Sequence, residues 1–155
     1  MKIDMNVEPR VREALAAIVK RDSGRLESAM RAFDETRSIA QGVELATAIV
    51  LVVLSDMFDH GPTRDELRGL AGAIAELEQW ARPEPAEVEQ YLVGVVDGSP
   101  LHDTLATDQI IVLSFLVPAS LLAGRTKAED GNRWFDYLDR VEARIEAAPD
   151  VAGTA

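Results

Sequence analysis

The stretch Val43 to Gly61, VELATAIVLVVLSDMFDHG, constrains the fold more than any other part of the chain. Its longest run without a charge is Leu45 to Ser55, shorter than the roughly 18 to 20 apolar residues that a bilayer crossing needs. Gly61-Pro62 then stops it. The run reads as a central core helix, apolar most of the way round because neighbours cover it on several sides. Its many β-branched residues would also suit a buried strand, but its length and its helical flanks favour a helix.

Those flanks carry helix signals of their own. Glu8-Pro9 opens a helix with Val7, Val11, Leu15 and Ile18 at helical spacing, ending near Asp22-Ser23-Gly24. A second helix carries Leu26, Met30 and Phe33 on one face and breaks or kinks around Gln41-Gly42. Thr63 and Glu66 form a capping box ahead of Leu67, Leu70, Ile74, Leu77 and Ala81, and Pro83 ends that helix. Pro85 opens the next, with Val88, Leu92 and Val95 inward and Gly98 closing it. Asp103 or Thr104 caps a second strongly apolar segment, reaching Gly124, which Pro118 kinks or splits. Thr126 and Glu129 repeat the capping box before a last stripe of Trp134, Leu138, Val141 and Ile145. The expected fold is all-α, a single-domain bundle of six or seven helices over residues 1–148, with 149–155 a disordered tail.

Three pairs of segments match in the same order: EPRVREALAAIV with EPAEVEQYLVGVV, ATAIVLVVLS with ATDQIIVLSF, and GPTRDE with GRTKAE. They suggest an internal duplication of a three-helix unit, with pseudo-repeats at about 7–82 and 84–147. Convergence on common helix caps and stops would give the same matches. If the halves are related, the two apolar helices should pack against each other.

Charge narrows the partners. The net charge is −11, and it is uneven. Residues 1–42 hold 8 basic and 7 acidic side chains, residues 43–155 hold 8 and 20. Acidity of this kind argues against nucleic-acid phosphates and anionic lipid, and suits a basic protein partner. With no cysteine, disulfides and thiolate chemistry are excluded. The charged N-terminus lacks the apolar core of a secretory signal, so the expected location is cytoplasmic, and the arginine-rich, lysine-poor composition suggests a bacterial source.

Two sets of residues are candidates for function. Asp56, Asp59 and His60 fall within one helical turn and could supply ligands or an acid/base pair; whether a metal binds is left open. Carboxylates at a helix C-terminus oppose the macrodipole and want a cation, which Arg64 and Arg68 across the turn could provide. The ordinary alternative is a solvated helix end, and His102 reads as a loop residue. The second set is an interaction surface of Trp80, Glu84, Glu87 and Tyr91, in a segment of net charge −7 over residues 76–108. Phe135 and Tyr137, on different sides of their helix from Trp134, could serve an interface such as a homodimer.

No nucleotide-binding loop, zinc-protease, nucleophile-elbow, EF-hand or di-iron pattern occurs, and no cofactor is expected. The leading expectation is a non-enzymatic acidic helical module that binds, adapts to or neutralises a basic protein, with no membrane role. The alternative is a small helical enzyme or ligand or metal sensor. Its pocket would lie between the apolar helices near Pro118, with Asp56, Asp59 and His60 at its mouth.

Overall fold

A computed structural model of the chain describes residues 1–33, 36–128 and 133–148. All the regular structure among them is helical: α1 (Glu8–Val19), α2 (Ser23–Arg31), α3 (Thr36–Met57), α4 (Arg64–Leu77), α5 (Pro85–Asp97), α6 (Thr107–Ala128) and α7 (Trp134–Ala147). Two short 3-10 turns, Gln79–Ala81 and Leu101–Asp103, lie on either side of α5. The all-α bundle of six or seven helices expected from periodicity is the fold observed, with seven α-helices among the described residues.

The local chemistry explains most of the ends. Thr63 Oγ1 accepts from the Glu66 amide at 3.1 Å while Glu66 Oε1 accepts from the Thr63 amide at 2.9 Å, so the first capping box forms as read. Pro lies in the first turn of α1 and of α5, where a missing amide hydrogen costs no bond. Gly98 closes α5 in the left-handed region at φ 69°.

Elsewhere the boundaries move. The chain leaves α2 at Arg31, and α3 begins at Thr36 and runs through Gln41-Gly42 without a break. Gly42 serves packing instead. A Cβ there would come within 2.9 Å of Phe33 Cε1 and 3.4 Å of Phe115 Cζ, so the bare backbone makes room for Phe33, whose ring lies 5.6 Å from that of Phe115. Pro118 does not split α6, and Gly124 does not end it. Thr126 is therefore inside α6 rather than capping α7, which starts after Arg133; Glu129 falls outside the described residues, as does the expected tail 149–155. Neither Asp103 nor Thr104 caps α6. Gln109 Oε1 reaches back to the Ala106 amide at 2.9 Å instead.

The centre of the bundle is α6, not α3. It packs against α1, α3, α4, α5 and α7, which is why its sequence is apolar on every side. Phe115, Leu116, Val117 and Leu122 are buried in it, together with Leu15 of α1, Ile49 of α3, Leu92 of α5 and Leu138 of α7. By length and composition both α3 and α6 could cross a membrane, since α3 as a whole is longer than its charge-free run. In the bundle they act as core helices to different degrees. In their most apolar parts 61% of α6 is buried but only 39% of α3. The two pack against each other, and α3 is left with one face in solvent.

Candidate functional site

Asp56 lies one residue before the end of α3, where the helix dipole disfavours a carboxylate. The cation it needs comes from α7 and not from across the turn. Arg144 Nη1 donates to Asp56 Oδ1 at 2.6 Å and the Tyr137 hydroxyl donates to Oδ2 at 2.6 Å. Burial pushes the Asp56 carboxyl up, but the bonds from Tyr137 and Arg144, with the charges of Arg144 and Arg125, outweigh it and hold it below the ordinary Asp range. The same contact acts in reverse on Tyr137. Burial first, then the Asp56 bond and charge, raise its phenol to about 12.

The rest of the first candidate set does not converge. Arg64 pairs with Asp97 of α5 at 2.7 Å, and Arg68 lies 3.6 Å from Asp65 and 3.5 Å from Glu89. Asp59 and His60 are exposed in the turn after α3. No three His, Asp or Glu residues among those described come together as a metal site. Asp56 and Arg64 are drawn to opposite neighbours, α7 and α5, because each finds an opposite charge there.

A second charged cluster was not foreseen. Arg12 of α1 binds Glu8 at 2.7 Å, Asp139 at 2.7 Å and Glu142 at 3.0 Å, bridging α1 to α7. Glu142 Oε2 is buried without a hydrogen-bond donor. Burial, then the neighbouring Glu8 carboxyl, push Glu142 up to about 7, against the pull of Arg12. Only the Glu8/Arg12 spacing of four residues hints at this cluster in the sequence.

The interaction-surface candidates divide. Tyr91 is fully buried with its hydroxyl beside Ser114 of α6, and Tyr137 is buried on Asp56, so neither ring is presented to solvent. The acidity around Tyr91 and the three-sided spacing that sets Tyr137 apart from Trp134 do not reveal how closely α6 and α3 approach. Phe135 is half-buried, edge-on to Trp134 at 5.8 Å with Arg133 over its ring at 5.6 Å. Trp80 and Glu87 line two adjoining hollows, and Glu84 is exposed just before α5. The Trp80 indole N–H donates to the buried Glu78 carboxylate at 2.8 Å, which fixes the ring in the 3-10 turn after α4. Beside it Leu26 and Met30 of α2 and Val112 of α6 form an apolar hollow of about 60 Å³. Across Ala81, Val112 and Leu116 it continues into a second hollow of about 210 Å³, reaching Arg82, Glu87 and Asp108.

Val112 is 54% exposed in the middle of this groove, a large apolar residue beside the buried Leu113, Phe115 and Leu116 of the same helix. Glu87 accepts from Gln109 at 2.5 Å, whereas Glu84 and Asp108 are exposed. A larger depression of about 570 Å³ lies between α4 and α5, but the arginines lining it are those already facing Asp97 and Glu89. Neither the groove nor this depression is lined by Asp56, Asp59, His60 or Pro118. No family model, curated protein or solved structure matches the chain.

Proposed function

We propose that this protein is a non-enzymatic helical interaction module, cytoplasmic in location, that receives a basic protein segment in the groove beside Trp80. The observation that carries the reading is the exposed Val112 in an apolar trough with Glu87 and Asp108 at its edge. An apolar centre supplies affinity when water leaves it, and a charged rim selects the sign of the partner and speeds encounter. Asp56 takes no part. Its two oxygens already hold Tyr137 and Arg144, so any ligand would have to displace both.

The test uses amphipathic helical peptides of one apolar pattern carrying either lysines or glutamates. In a Trp134→Phe background the fluorescence of Trp80 reports on the groove. The lysine peptide is expected to bind with an affinity that falls as salt rises. Val112→Glu should abolish that binding, and Glu87→Lys with Asp108→Lys should weaken it at least tenfold. Equal binding of both peptides, or binding indifferent to Val112→Glu, would refute the reading.

A further inference from the structure

The solvent face of α3 is a second and separate feature. Arg37, Ala40, Glu44, Leu51 and Ser55 are exposed at spacings of three, four, seven and four residues, a single row along one side of the helix, with Thr47 and Ala48 half-buried beside it. Leu51 is 44% exposed at its centre. The row carries one carboxylate, Glu44, in a chain with 27 acidic residues. It is thus a stretch of surface where a second acidic chain would meet little repulsion.

We propose that this face pairs with the same face of a second copy, in an antiparallel, two-fold contact centred between Ala48 and Leu51. In such a contact every residue meets a partner at a mirrored position along the row. With the axis between Ala48 and Leu51, the Leu51 side chain packs onto Ala48 of the other copy. The small alanine allows the helices to approach to about 8 Å. Glu44 then falls opposite Ser55, and beside Ser55 stands Arg144, half exposed, with Nη2 3.5 Å from the serine oxygen. Each Glu44 therefore meets a guanidinium whose other nitrogen is tied to Asp56, and the arrangement occurs twice. Arg37 extends the row toward the acidic turn at Asp59 of the other copy. A parallel pairing would set Glu44 against Glu44 and offer neither match. The homodimer expected at Phe135 and Tyr137 is thereby relocated, since Tyr137 is buried. One helix pair lies at the small end of stable interfaces, so the dimer is concentration-dependent.

The absence of cysteine makes the register directly measurable. Light scattering on the purified full chain should show a mass of 16.9 kDa at low concentration rising toward twice that value. Leu51→Glu should hold it at the monomer mass with unchanged helicity by circular dichroism. Under mild oxidation Ala48→Cys, next to the axis, should form a disulfide-linked dimer. Ala40→Cys, far from the axis, should not. A wild type that stays monomeric throughout, or equal cross-linking at both positions, would overturn the proposal. So would flotation of the chain with uncharged phosphatidylcholine vesicles that Leu51→Glu abolishes, which would assign the face to lipid.

Discussion

Helix α7 holds two carboxylate clusters on opposite neighbours, and they are built in opposite ways. Toward α3, one carboxylate receives a tyrosine hydroxyl and a guanidinium, so burial is outweighed and Asp56 stays ionised below its ordinary range. Toward α1, one guanidinium is divided among Glu8, Asp139 and Glu142, and the carboxyl with the least access to water, Glu142, is pushed toward protonation. The same residue chemistry on one helix thus stabilises in one place and strains in the other. What separates the cases is the ratio of donors to acceptors.

The sharpest way to break the contrast is Asp56→Ala. It leaves the Tyr137 hydroxyl and Arg144 without their acceptor and is expected to cost about 2 to 3 kcal/mol in denaturant unfolding. A cost below about 0.5 kcal/mol would return Asp56 to the class of solvated helix ends.

The next test is pH. Glu142 binds a proton more readily folded than unfolded, so the stability it contributes is full below about 4.5 and is lost as pH rises through about 7. Asp56 has the opposite sign. Its contribution is present above the unfolded Asp range and is lost as pH falls below it. Glu142→Gln should therefore stabilise the protein at pH 8 by about 1 kcal/mol, allowing for solvent screening, and have little effect at pH 4.5. A variant that destabilises equally at both values would show that Glu142 is not strained.

The smallest effect is expected for His60→Ala. With the side chain exposed after α3, unfolding should shift by less than about 0.5 kcal/mol.

These contrasts also show what could be read from residues alone. The α4 capping box, the prolines opening α1 and α5, and Gly98 act over three or four residues, and each was legible because its chemistry is local. The need of Asp56 for a cation was legible too, but its donor was not, since Arg144 lies 88 residues away and nearer arginines satisfied the rule equally well. Composition signalled two apolar helices. It could not say that α6 would take the centre and α3 the edge, because which neighbours cover a helix is decided by the packing of the whole chain. Tyr91 fell to the same limit, as an amphipathic residue whose hydroxyl suits either a surface or a neighbour such as Ser114.

Gly42 has a consequence for how this sequence can change. Because a methyl group there would press on Phe33 at 2.9 Å, the two positions are not independently variable. Alanine at 42 is harmful while phenylalanine occupies 33, and should become tolerable once a leucine stands there. Since α3 tolerates alanine at most positions on helix propensity alone, that coupling has nothing to do with backbone preference. In a population of drifting sequences the pair would form a one-way gate: the smaller ring-free residue must come first, and the glycine can be lost only afterward.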